Sequence, residues 1–133
     1  MTASNPTYHM RRIRLERARA KGHPEGELGE GYDLVAPLDE AGHISVEGWR
    51  HQRALCFVHR LEAGDVVERG LLAHQAGGPG GGTWQFDYDP RSLGEEDSGY
   101  RFESHSFAPG EYVSIRDADG AVLTYRVTLV TPA

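Results

Sequence analysis

Phe107-Ala-Pro-Gly-Glu-Tyr-Val-Ser-Ile-Arg-Asp-Ala-Asp-Gly-Ala-Val-Leu-Thr-Tyr-Arg-Val-Thr-Leu-Val130 is the stretch that decides the fold, because its pattern sets both a structure and a register. Phe107-Ala-Pro-Gly110 is a turn: proline presets φ and glycine supplies a positive φ. From Glu111 to Asp117, Val113 and Ile115 alternate with Tyr112, Ser114 and Arg116, the period of two that marks a half-buried strand. Asp117-Ala-Asp-Gly120 then reads as a type I turn with a left-handed Gly120 in a G1 bulge. Pairing Asp117 with Ala121 sets Ile115 opposite Leu123, Val113 opposite Tyr125, Ser114 opposite Thr124 and Tyr112 opposite Arg126. Both strands thus turn their apolar residues to one face, and Val127 and Leu129 are expected to continue that inner row. A two-stranded ribbon is marginal alone, so further strands must cover it.

The chain outward from this hairpin supplies them. His9–Arg19 reads as a strand, since Ile13 and Leu15 sit two apart, and 21–31 as a Gly, Glu and Pro-rich loop. Tyr32–Ala36 is a short strand that Pro37 is expected to stop. Leu38–His43 is a turn, and Ser45 caps a helical turn through Arg53 whose Val46 and Trp49 share a core-facing side. Leu55–Leu61 and Val66–His74 form a second hairpin; a two-residue Ala63-Gly64 turn sets Cys56 beside Leu71 and Val58 beside Arg69, whereas a three-residue turn shifts these pairs. Gly77–Gly82 is a connection without the Gly-Lys-Ser/Thr ending of a phosphate loop. Trp84, Phe86 and Tyr88 alternate along a strand with one aromatic face, 89–99 is an acidic loop, and Tyr100–Ser106 returns as a strand. The sum is an all-β, mainly antiparallel fold: a small closed or partly open β-barrel of about seven strands with one short helical turn, the alternative being a two-sheet β-sandwich.

At 133 residues the chain is one domain able to form its own core, with 8–130 as the β domain and 1–7 as a flexible N-terminus. Cys56 is the only cysteine, which excludes an internal disulfide and suits a reducing compartment. No address sequence and no transmembrane-length apolar run occurs, so the expectation is a cytoplasmic protein with no membrane partner. The net charge of −6 is uneven. Arg11, Arg12, Arg14, Arg17, Arg19 and Lys21 against Glu16 carry +5, leaving −11 elsewhere. An acidic body repels polyanions and no stacking or recognition-helix pattern accompanies the arginines, so nucleic acid is not the expected partner.

The candidate site is the concentration of Trp84, Tyr88, Tyr100, Phe102 and His105 around one loop, which suits a noncatalytic binding module closing over a small molecule or a protein partner. Trp84 and its neighbours are equally the means by which a sheet covers its interior. A second class is a divalent-metal protein or metal-dependent enzyme using His59, His74 and His105, which fall on strands or their ends; no His-x-His, Cys-x-x-Cys or His-Glu-x-x-His spacing accompanies them. No cofactor is otherwise expected and no catalytic residue stands out. Cys56, in apolar company, reads as a buried inert thiol. A monomer or homodimer fits the chain equally.

Gly31-Tyr32, Val35-Ala-Pro-Leu-Asp39, Trp84-x-Phe86-x-Tyr88-Asp89 and Phe107-x-Pro109-Gly-Glu-Tyr-Val-Ser-Ile115 together resemble a family of short uncharacterised proteobacterial proteins, a domain of unknown function, over Tyr8–Val130. The resemblance implies a soluble bacterial protein and carries over no catalytic residue. The Phe107–Ile115 run also loosely resembles the Pro-Gly stretch of cupin barrels and a strand of flavin-binding reductase barrels. The cupin histidines and the reductase serine are missing, so neither chemistry is implied.

Overall fold

A computed structural model describes residues 8–18, 29–75, 83–88, 97–100, 102, 105–116 and 120–133. The expected flexible segment 1–7, the Gly77–Gly82 connection and most of the two long loops, 21–31 and 89–99, lie outside the described residues. The strands are β1 (Tyr8–Arg17), β2 (Gly31–Asp39), β3 (Phe57–Glu62), β4 (Asp65–Gln75), β5 (Thr83–Asp87), β6 (Asp97–Tyr100), β7 (Tyr112–Arg116) and β8 (Val122–Pro132). Each pairs antiparallel with its successor, and β1 pairs with β8 to close a barrel. Closure removes the exposed sheet edges, which decides against the sandwich.

The β7–β8 register is the expected one, residue for residue, from Tyr112 opposite Arg126 to Arg116 opposite Val122, and Gly120 has φ +88°. Past Val127 the expectation fails. Leu15 pairs with Val127 but Arg14 pairs with Leu129, so Thr128 is an extra residue in β8. This bulge inverts the alternation: Val130 packs on the core and Leu129 is 51% exposed.

A second bulge corrects the other hairpin. Glu62 pairs with Asp65 around Ala63 (φ 51°) and Gly64 (φ 83°), the two-residue turn with both central residues left-handed. The register then slips between Leu61 and Arg60, leaving Val67 unpaired, so Val58 meets Gly70 and Leu71 meets Phe57. Cys56 precedes the strand rather than lying within it.

β2 runs through Pro37 to Asp39, longer than expected, because β3 pairs with it only as far as Leu34. Beyond Leu34 that flank needs no ladder donor from residue 37; the Ser45 N–H donates to Pro37 O at 2.9 Å and Leu38 bridges to Ile44. The strand expected over Tyr100–Ser106 lies earlier, at Asp97–Tyr100. There it bridges β5 and β7, and the chain then leaves the sheet so that Phe102 enters the core.

An eight-stranded barrel is just wide enough for side chains to fill. Ile13, Leu15, Tyr32, Leu34, Val58, Leu72, Phe86, Val113, Ile115 and Val127 fill it from the strands, with Trp49, Phe102 and Phe107 added from connections. Helix α1 (Val46–His51) is too short to stand alone. Ser45 Oγ accepts from the Gly48 N–H at 3.0 Å, and the Trp49 indole N–H donates to Leu72 O at 2.8 Å, anchoring it to β4. A 3₁₀ turn, Arg53–Leu55, leads from it to β3.

Candidate functional site

Of the aromatic group read as a ligand site, Trp84 and Phe102 are wholly enclosed, at 1% and 0% exposure. Trp84 packs against His74 at 4.4 Å and Trp49 at 5.6 Å between ring centroids; Phe102 packs against Phe86 and Phe107 at 5.8 and 5.1 Å. Both rings are taken up in packing among the described residues. Tyr88 lies half-buried against the same core, and the Tyr100 side chain lies outside the described residues. His105 sits edge-on to Phe102 at 6.4 Å.

The histidine trio is not assembled either. Val58 is buried inside, so alternation turns His59 outward, where its ring stacks on Phe57 at 4.5 Å. His74 faces inward between Trp49 and Trp84, at 5.8 and 4.4 Å. Among the described residues no cluster of three or more His, Cys, Asp or Glu side chains could hold a metal ion.

Two concave surfaces among the described residues lie elsewhere. The larger is an outer cleft of about 510 Å³ between β1, β2, the 3₁₀ turn and the end of β8, lined by Met10, Val35, Ala54, Leu55, Phe57, Pro132, Ala133 and Arg12. Its position follows from β2. Gly31–Leu38 is buried without alternation, the pattern of a strand covered on both faces. Tyr32, Leu34 and Ala36 point into the barrel, while Val35 and Pro37 face out beneath the 45–56 crossover. The cleft is what the crossover leaves uncovered.

Beside it, Asp33 is 4% exposed although it points away from the barrel. Arg12 Nε donates to both carboxylate oxygens, at 3.0 and 3.2 Å, and one Arg12 Nη donates to Oδ2; Arg14 stands 3.7 Å away. The bond to Asp33 and its charge raise the Arg12 guanidinium above its ordinary value, against the effect of burial. Asp33 pairs across the sheet with His59, and His59 with Arg69. Burial lowers the His59 imidazole below its ordinary value, and Arg69 and Arg12 push it the same way against Asp33. Arg12, Arg14 and Asp33 together carry one net positive charge at the cleft's edge, where the Arg12 side chain is 53% exposed.

A smaller hollow of about 200 Å³ occupies the other end of the barrel, lined by Arg17, Glu30, Gly31, Tyr32, Arg60, Leu61, Glu62, Leu123 and Tyr125. Among the described residues neither place is lined by a cysteine, serine, threonine or histidine. Cys56 is fully buried, donates to Gln52 O at 3.3 Å, and burial pushes its thiol up to about 11.

No family model matches the chain, and neither a curated protein nor a solved structure matches it. Among the described residues no helix is long and apolar enough to cross a membrane.

The cleft residues escape a reading of the sequence because they come from positions as distant as Met10 and Pro132. One signal was present: Leu34-Val-Ala-Pro-Leu38 has no polar position, which marks a strand whose outer face is also covered.

Proposed function

We propose that the protein is a noncatalytic binding module that holds a small amphipathic anion, apolar body in the outer cleft and acidic head at Arg12. The observation that carries this is the cleft itself. Its volume of about 510 Å³ falls in the range of small-molecule sites, and its lining is apolar except for one guanidinium. Asp33 occupies the Nε and one Nη of Arg12, and a guanidinium has five N–H donors, so donors remain for an anion. Nothing in the lining is a nucleophile or a general base, which favours binding over chemistry. The same reading keeps the protein in the cytoplasm, where a lone reduced thiol such as Cys56 persists.

Calorimetric titration with decanoate, alongside decanol, tests it. Saturable binding of decanoate, weaker binding of decanol, and loss of both in Leu55→Glu are expected. Absence of decanoate binding, or binding indifferent to Leu55→Glu, would overturn the assignment. Leu55 is 57% exposed, so this variant keeps the core intact.

A further inference from the structure

The hollow at the far end of the barrel has a different chemistry from the outer cleft. Its floor is made by Tyr32 and Tyr125, both nearly buried, whose rings meet edge-on at 5.2 Å. Leu123 adds an aliphatic wall. Above these stand two ion pairs. Arg17 Nη1 lies 3.1 Å from Glu30 Oε2 and Arg60 Nη1 lies 2.8 Å from Glu62 Oε1, with Glu68 at 4.0 Å from Arg60. Among the described residues the charges that line the hollow therefore balance, Arg17 and Arg60 against Glu30 and Glu62.

From this we infer that the barrel mouth is a second ligand site, for a small zwitterion with an apolar side chain: a free aliphatic amino acid. The hollow has no surplus charge, so an anion at either guanidinium would sit beside the glutamate already paired there, like charge against like, and a cation at either glutamate would meet the guanidinium in the same way. Such mismatches are what make a site select against the wrong ligand. A zwitterion avoids both, because its carboxylate faces the guanidinium while its ammonium faces the carboxylate. Any loosening of the protein's own pairs is cheap, since partly exposed ion pairs of this kind contribute at most about 1 kcal/mol each. The side chain then lies against Leu123 and the tyrosine rings, which are already desolvated. Size sets the class: about 200 Å³ admits an amino acid but not a nucleotide.

The test is an NMR titration of backbone amides with three matched probes: L-leucine, 4-methylpentanoate, which lacks the ammonium, and 3-methylbutylamine, which lacks the carboxylate. Leucine is expected to shift the amides of Gly31, Leu123 and Tyr125, and each single-charge analogue to bind about tenfold more weakly or worse, the loss of one charge-assisted contact. Arg17→Gln and Glu62→Gln are each expected to weaken leucine by a similar factor while the dispersion of the spectrum stays unchanged; if one variant fails to fold, the other carries the test. No shift at these amides with millimolar leucine, or 4-methylpentanoate binding as tightly as leucine, would overturn the assignment. The outer cleft plays no part in this result, so the two sites stand or fall separately.

Discussion

Removing either partner of the Arg12–Asp33 pair should destabilise the protein by very different amounts. The Asp33 side chain is 6% exposed, whereas those of Arg12 and Arg14 are 53% and 39% exposed. In Arg12→Met the buried carboxylate keeps only Arg14, 3.7 Å away. Stripping one partner from a fully buried pair costs about 3–5 kcal/mol; Arg14 and partial hydration reduce this to about 2–3 kcal/mol. In Asp33→Asn the orphaned groups are guanidiniums that water already reaches, so the loss is about 1 kcal/mol. Urea denaturation followed by circular dichroism reads the difference. With an m-value of roughly 1.5 kcal/mol/M, Arg12→Met should lower the midpoint by about 1.3–2 M and Asp33→Asn by less than about 1 M. The double variant Arg12→Met/Asp33→Asn should recover much of the first loss, because no charge is then left buried. Asp33→Asn proving the more damaging, or a double variant as weak as the sum of the singles, would refute the argument that the buried carboxylate dominates.

Three further outcomes follow from the same geometry. His59 should titrate by NMR below its ordinary value of 6.5, lower still in Asp33→Asn and higher in Arg69→Gln. Because its folded value is depressed, its neutral form contributes stability above pH 6.5 that is lost as the pH falls through the folded value; His59→Gln should flatten that acid-side loss. Cys56 behaves oppositely: with the folded value raised from 9.0 to about 11, its contribution is complete below pH 9 and is lost as the pH climbs toward 11. That slope is at most about 1.4 kcal/mol per pH unit and should disappear in Cys56→Ala by alkaline denaturation. Val130→Ser should cost about 1–2 kcal/mol and Leu129→Ser less than about 0.5 kcal/mol in thermal unfolding, the reverse of an unbroken alternation.

The parts of the fold legible in the sequence are those that two independent signals specify. At the Asp117–Gly120 hairpin, loop chemistry and alternation on both strands demand the same register, and the observed pairs are the expected ones. The bulges at Val67 and Thr128 carry no such mark, because one extra residue in a strand of β-branched and polar residues changes the facing without changing the composition. Pro37 was misleading for a related reason. Proline ends a strand only where a ladder donor is needed, and that depends on how far β3 extends, which β2 itself does not encode.

The site was harder to read because the closed barrel settles what its aromatics do. Once eight strands close, the interior has room for side chains and little else, so Trp84 and Phe102 on inward positions become filling whatever their chemistry would permit elsewhere. On the proposed reading, recognition falls to surfaces the barrel leaves free, its outer face and its mouth. That displacement separates binding from stability. Leu55 and Leu123 stand outside the fully buried core and carry no ion pair, so substitutions there probe ligands at little cost to folding, unlike those at Arg12. The same replacements at Trp84 or Phe102 would remove packing that costs about 3–5 kcal/mol to lose, and any loss of binding would report unfolding instead.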